Sequence, residues 1–315
     1  MKALRFGGAA AALLAVLVAG CASPTNGGSG GSSGSGSKYT IGFAVSTLNN
    51  PFFVAMVNGV KSEAAKEGVS VTIDNGNNDP ATQLNQMQDL IQKKVNAILL
   101  NPTDSQSLSS AVALANNAHI PVITLDRSVT SGQVATFIAS DNIQAGKMAA
   151  DEIIKALNGQ GQVVDLQGII GSSAEADREK GFTQEIGTAS GITVVARQSA
   201  NFDRSTALNV MQNILQAHPD VKGVFAQNDE MALGALKAIQ QAGKSGIAIV
   251  GIDGEQEVVN DVQAGTIYAD IAQQPTQEGV LGVQYAVKVI QGQSIPSSIP
   301  SPLQLVTKGT NFTGF

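Results

Sequence analysis

From Lys38 onward, short apolar runs take turns with longer stretches in which apolar residues recur at helical spacing. The runs Tyr39–Val45, Val69–Asp74, Ala97–Leu100, Val122–Leu125 and Ala135–Ala139 predict strands. So do Gln162–Leu166, Thr193–Arg197, Gly223–Ala226, Ala248–Ile252 and Tyr268–Ile271. Between them, Phe52–Glu67, Ala81–Lys93, Ile143–Leu157, Thr206–Ala217 and Met231–Ala242 predict amphipathic helices. Asp79–Pro80 supplies the second of these with a capping side chain and a proline at its first position. Such alternation reads as repeated βαβ units, hence parallel sheets covered by helices on both faces. Ten strands are many for one open sheet, and the signals divide into two sets of four or five. The expected fold class is α/β, with two doubly wound parallel-sheet lobes.

The N-terminus has a different grammar. Lys2 and Arg5 precede an apolar run from Ala9 to Val18, and Ala19-Gly20-Cys21 follows. Early charge, a short hydrophobic stretch and small residues before a break predict a signal peptide over 1–20. The run is too short for a comfortable membrane span. The segment Val18-Ala19-Gly20-Cys21 resembles the lipobox of bacterial lipoproteins, which implies a diacylglyceryl thioether on Cys21; the alternative is an ordinary signal with an incidental cysteine. Residues 22–37 are almost wholly Gly, Ser, Asn, Thr and Pro, a flexible linker spanning about 20 Å on average. The expected location is outside the cytoplasm, tethered to the cell envelope in a periplasm or at the outer face of the cytoplasmic membrane.

Composition narrows the chemistry. Of 315 residues, 43% are hydrophobic and 14% charged, enough apolar material for a large core. The net charge of −6 comes with no basic block, so no nucleic-acid partner is expected. One cysteine makes no internal disulfide, two histidines make no His-rich centre, and neither metal nor cofactor is expected.

Ligands of doubly wound sheets sit beyond the carboxyl ends of the strands. There the chain places Ser46 through Phe53, Asn101-Pro102-Thr103-Asp104, Asp126-Arg127, Asn201-Phe202-Asp203-Arg204, Gln227-Asn228-Asp229-Glu230, Asp253-Gly254 and Gln273-Gln274; Arg178 follows on a helix. Asn, Asp, Arg and Gln are planar groups that donate, accept or do both, as a polyhydroxylated ligand requires. Flat aromatics suit the C–H faces of a sugar ring. Asn and Asp after strands also form turns and helix caps, and arginines form surface ion pairs. Of the adjacent Phe52 and Phe53, one is expected to point away, since neighbours do not share a helix face. No Gly-x-Ser-x-Gly elbow or paired nucleophile and base is present. Gly159-x-Gly161 precedes its strand and lacks a third glycine, and Asp74–Asp79 breaks EF-hand spacing.

Residues 38 to about 308 closely resemble the bacterial ribose-binding proteins, the pentose branch of the type I periplasmic binding proteins. The resemblance is carried by Val45–Phe53, Asn101–Ser105, Ile120–Arg127 and Phe225–Leu236. It implies sugar binding in a cleft between lobes joined by a three-stranded hinge. The positions matching the family's hydrogen-bonding contacts are Asn50, Asp126, Arg127, Arg178, Asn228, Asp253 and Gln273; Phe52, Phe53 and Phe202 would hold the ring. Ser46 and Asn101 would support the cleft. Crossings are expected near Ser140-Asp141, Gln273-Gln274 and Ser301-Pro302, giving one lobe of 38–140 plus 274–302 and another of 141–273 plus 303–315. One departure is Ile252, where the family usually has Phe before the Asp-Gly. A smaller neighbour would widen the pocket and shift preference among sugars.

The resemblance further implies a monomeric, non-enzymatic protein that captures D-ribose and delivers it to an ABC permease by hinge closure. The alternatives are allose or another pentose as ligand, a sugar-responsive regulator core, and an enzyme on a doubly wound fold. A regulator needs a helix-turn-helix before residue 38, where a signal and linker stand instead; an enzyme lacks its nucleophile and nucleotide loop. A chemoreceptor is a further partner compatible with transport.

Overall fold

Asn50 and Gly68 delimit the first helix by the chemistry the sequence offers. The Asn50 side chain caps one end and Gly68, at φ 64°, turns the chain left-handed at the other. The computed structural model describes residues 37–315, so the predicted signal, Cys21 and nearly all of the linker lie outside the described residues. Along the described chain run β1 (Thr40–Val45), α1 (Pro51–Glu67), β2 (Ser70–Asn75), α2 (Pro80–Gln92), β3 (Ala97–Leu100), α3 (Ser109–Asn117), β4 (Val122–Leu125) and β5 (Thr136–Ser140). Then come α4 (Asn142–Ala156), β6 (Gln160–Gln167), α5 (Ser173–Ile186), β7 (Gly191–Ser199), α6 (Arg204–Ala217), β8 (Val221–Ala226) and α7 (Asp229–Gln241). The last elements are β9 (Ala248–Asp253), α8 (Gln256–Ala264), β10 (Ala269–Ala272), α9 (Pro275–Ile290), β11 (Ser298–Ser301) and β12 (Gln304–Thr307).

These strands build two six-stranded sheets, in the orders β11-β5-β4-β3-β1-β2 and β12-β10-β9-β8-β6-β7. Every pairing is parallel except β10 with β12. The two-lobed doubly wound α/β fold read from the pattern is the fold observed. The central strands β3, β4 and β10 are buried at every position, as parallel strands covered on both faces must be. Apolar cores line both faces of each sheet, with Phe43, Met56 and Val283 on one face of the first and Met87, Leu90 and Leu108 on the other.

The chain passes from one sheet to the other three times. It leaves the first after β5 for α4, which packs on the second sheet, and returns between β10 and α9, which packs on the first. The last passage lies between β11 and β12. Ser140 and Ser301 stand side by side in the β5–β11 ladder at the first and third passages. Glu278, in the opening turn of α9 beside the second, is fully buried, and among the described residues no N–H or O–H meets it in hydrogen-bond geometry, the Ser301 hydroxyl standing nearby.

The crossing of α4 and α5 is tight enough to require glycine on both helices. Gly146 of α4 lies against the Arg178 and Phe182 backbone of α5, and Gly181 of α5 lies against that of Ile143 and Lys147, so any side chain there would strike main chain. This crossing places Arg178 over the end of the second sheet.

Candidate functional site

A narrow cavity lies between the lobes at the carboxyl ends of both sheets. Asn50, Phe52, Phe53, Asp126 and Arg127 line it from the first lobe; Ala174, Arg178, Phe202, Asn228 and Asp253 line it from the second. Nine of the ten residues of the expected ligand set thus meet at one cavity. The tenth, Gln273, stands directly behind, its amide donating to Asp253 Oδ1 at 2.8 Å.

The two asparagines cap helices and face the cavity at once. Asn50 Oδ1 accepts from the Phe52 N–H at 2.8 Å, and Asn228 Oδ1 accepts from the Met231 N–H at 3.0 Å. Each carbonyl is spent on a helix end, which leaves the Nδ2 donor for a ligand. Both helix N-termini also aim their positive ends at the site.

The charged groups form a buried alternating array. Arg127 Nε lies 3.4 Å from Asp126 Oδ2, and Arg178 Nη1 lies 3.9 Å from Asp253 Oδ1. Arg178 is further fixed by donating from Nε to Asn142 Oδ1 at 2.8 Å and from Nη1 to the Gln227 carbonyl. Burial pushes the Asp126 carboxyl up, against the pull of Arg127, Arg178 and Asn101; it pushes Asp253 up further, against Arg178. Burial likewise lowers Arg127. Arg127 Nε and Nη1 and Gln273 Oε1 are buried without a hydrogen-bond partner among the described residues. Polar groups so placed are stabilised by a ligand that both donates and accepts.

The aromatics close the cavity on its apolar sides. The Arg127 guanidinium lies 5.1 Å from the Phe53 ring centre and 5.3 Å from that of Phe202, so it bridges a ring of each lobe. Phe52 meets Phe53 edge to face, 5.2 Å between centres. The expectation that one of this pair points away is not met: both sit in the first turn of α1, where the helix end stands over the cavity and both flanks are in reach.

Backbone strain concentrates here. Asp126 and Phe202 hold φ of 62° and 54°, and Asp253 holds 154°, conformations that non-glycine residues rarely adopt. The Phe202 ring lies on the backbone of Gly168, with no room for a side chain.

Supporting residues stand one layer out. Asn101 donates to Asp126 Oδ2 at 3.1 Å and to the Leu125 carbonyl at 3.0 Å, while its Oδ1 accepts from the Ser46 N–H at 3.3 Å. Ile252 is a correction. Strand alternation turns it, with Val250, into the core beside Phe182 and Phe225, and it does not line the cavity. Sequence reasoning missed Ala174, which lines the cavity, and Asn142, which orients Arg178. It also missed Phe315, whose ring packs on Phe52 at 5.9 Å while its N–H donates to the Gly254 carbonyl.

The lobes also touch directly. The Ser105 N–H donates to the Gly171 carbonyl at 3.0 Å, the Ser173 N–H to Ser105 Oγ at 3.1 Å, and the Ser128 N–H to Ser173 Oγ at 2.8 Å. Among the described residues no group of three His, Cys, Asp or Glu is placed to hold a metal.

Comparison with known proteins places this geometry in context. A periplasmic binding protein domain model matches residues 41–294. The chain is 49% identical to the ribose import binding protein of Escherichia coli K12 over 271 residues, 86% of this chain and 91% of that protein. It is 44% identical to the ribose import binding protein of Bacillus subtilis over 276 residues, 88% of this chain and 90% of the other. Among solved structures, an ABC transporter solute-binding protein from Mycobacterium smegmatis with bound glycerol superposes with a TM-score of 0.84 at 34% identity, covering 88% of this chain and 99% of that one.

Proposed function

The chain belongs to the periplasmic binding protein family, and from that premise we propose that it captures D-ribose in the interlobe cavity and presents it to an ABC permease. One observation carries the reading: a small cavity in which each lobe contributes a carboxylate, an arginine, a helix-capping amide and at least one aromatic face. Hydroxyls bridge the carboxylates and guanidinium groups, the two asparagine Nδ2 groups donate to oxygens, and Phe52, Phe53 and Phe202 cover the ring. The burial of Ile252 away from the cavity removes the reason for expecting a widened pocket.

Hinge closure around a ligand, of which periplasmic binding proteins are themselves a known example, follows from the split of the contact set. A sugar held by five lining residues of each lobe binds the closed arrangement better than an open one, and shifts the population by that difference. The three passages near 140–141, 273–274 and 301–303 serve as the hinge. Arg127, set between Phe53 and Phe202, joins the lobes where they close. The closed form is then what a permease recognises.

Calorimetry on residues 38–315 with ribose, allose, xylose, arabinose, galactose and xylitol tests this. The chain has no Trp, so heat or a thermal shift is a better reporter than intrinsic fluorescence. Ribose is expected to bind tightest, adding roughly 4 kcal/mol of stability at about 1,000 times its dissociation constant. Preference for another sugar would move the substrate, and no binding across the panel would sink the reading. The lipid anchor at Cys21 is proposed with it. Cys21→Ser expressed in a bacterial host should leave the membrane fraction, and retention there would refute the anchor.

A further inference from the structure

Behind the cavity, in the second lobe, two carboxyl groups meet. Asp229 opens α7 and Asp270 lies in β10 beside Gly251 of β9; both are completely buried. A Cβ at Gly251 would fall 2.5 Å from Asp229 Oδ1 and 3.5 Å from Asp270 Oδ1, so this glycine leaves the space in which the two groups face each other. Asp229 Oδ2 accepts from the N–H groups of Gly254 at 3.1 Å and Glu255 at 2.8 Å. Among the described residues Asp229 Oδ1 and both Asp270 oxygens have no such donor; the Gly254 and Ile271 N–H groups approach Asp270 without hydrogen-bond geometry.

Among the described residues the surroundings supply no counter-charge. The neighbouring acids are Asp253 on β9 and Glu255 ahead of α8, and β12 sets Val306 opposite Asp270. Arg178 of α5 is held at Asp253, and Arg204 of α6 at Glu230, Glu255 and Glu257. Two carboxylates buried in contact cannot both ionise, so the pair holds a proton.

We propose that Asp270 is a positioning residue for the binding loop: it shares one proton with Asp229 Oδ1 in a hydrogen bond, and so fixes the carboxyl group that anchors Gly254, Glu255 and, through them, Asp253. Asp253 needs such an anchor, because its φ of 154° is not one that it would adopt unaided. Burial, and then the partner carboxylate, push Asp229 well above the usual range; burial also pushes Asp270 up, against the hydrogen bond with Asp229. Loss of the shared proton turns the hydrogen bond into repulsion at the root of the loop. Sugar binding and proton retention are thereby linked, each favouring the other.

The inference rests on Asp253 as a sugar ligand, so two measurements separate their fates. Ribose affinity of the wild type, measured by calorimetry from about pH 7 upward, should weaken by up to about tenfold per pH unit, the limit for one linked proton. Asp270→Asn, whose amide donates the same hydrogen bond and cannot ionise, should flatten this profile. A flat wild-type profile, or an unaltered decline in Asp270→Asn, overturns the proposal. Carbon-13 spectra of the aspartate carboxyls in sugar-free protein should show a group that titrates above the ordinary range and vanishes in Asp270→Asn; its absence from wild type also overturns the proposal. If no sugar binds at any pH, the ribose reading fails while these spectra still decide the pair. If Asp270→Asn does not fold, Asp229→Asn, with its carbonyl on the loop and its amide toward Asp270, should flatten the profile equally.

Discussion

Replacing Arg178 by lysine keeps the charge and removes the fork. The guanidinium uses Nε on Asn142 and Nη1 on the Gln227 carbonyl, and still faces Asp253 and the cavity. An ammonium on a flexible stem cannot reach all of these at once. At least one buried charge-assisted hydrogen bond is lost, worth about 1.5–3 kcal/mol, and a polar partner is left unpaired. A net cost of about 2–4 kcal/mol in ribose binding follows, roughly 30- to 700-fold in Kd. Calorimetry measures the Kd; thermal unfolding of the sugar-free protein measures the share falling on the fold, because the bonds to Asn142 and Gln227 do not depend on sugar. A Kd for Arg178→Lys within about twofold of wild type would refute the assignment of Arg178 to the ligand set. Arg178→Met adds a check on charge. Arg178 opposes the burial that raises Asp253 above its ordinary 3.8, so its removal raises that carboxyl further. The folded state then keeps a proton that the unfolded chain lacks, and stability is lost as pH rises from about 4 across a wider window than in wild type.

Two further outcomes are expected. Glu278 is buried at the hinge and pushed by burial, and then by the Asp126 charge, well above its ordinary 4.5, so folding above that pH is linked to its taking up a proton. Glu278→Gln should therefore be more stable than wild type at neutral pH, by up to ~1.4 kcal/mol for each pH unit above 4.5 until the folded group ionises, and similar to it in acid; equal denaturant midpoints across pH would show that the group is ionised in the fold. Gly181→Ala should lower the melting temperature, since overpacking typically costs about 1–3 kcal/mol, and should also weaken ribose binding by displacing Arg178. A loss of stability with ribose affinity intact would mean that the α4–α5 crossing does not set the arginine.

The alternation of apolar runs was enough to read two doubly wound lobes, because parallel strands buried on both faces and amphipathic helices leave opposite periodicities. Helix α9 escaped that reading: Val280, Val283, Val287 and Val289 carry a β-type signal that packing against α1 overrides. Strands β11 and β12 escaped because four residues each, one run containing Pro300, are too short to show a period. At the site, Asn50 and Asn228 illustrate why a bland reading and a functional one need not compete. Cap and cavity donor are the two ends of one amide. Ile252 was legible as a neighbour of Asp253 but not as a core residue, since adjacency along a strand puts side chains on opposite faces. Asn142 and Phe315 left no signal, because their partners Arg178 and Phe52 lie 36 or more residues away in the chain; Ala174 left none, because a methyl group carries no chemistry to mark it.

The left-handed backbone at Asp126 and Phe202 bears on anyone who would retune the cavity for another sugar. At those two positions the main chain restricts the choice before any contact with a ligand is considered: Val, Ile and Thr would clash with their own carbonyls at φ near 60°. Asn and Gly fit the backbone but remove a carboxylate or a ring. Asn50, Arg127 and Arg178 carry no such backbone restriction, although Asn50 also caps α1 and Arg178 also braces Asn142 and the Gln227 carbonyl. A combinatorial library randomised evenly over the cavity would thus spend much of its diversity on chains unable to close the loops that carry the new side chains.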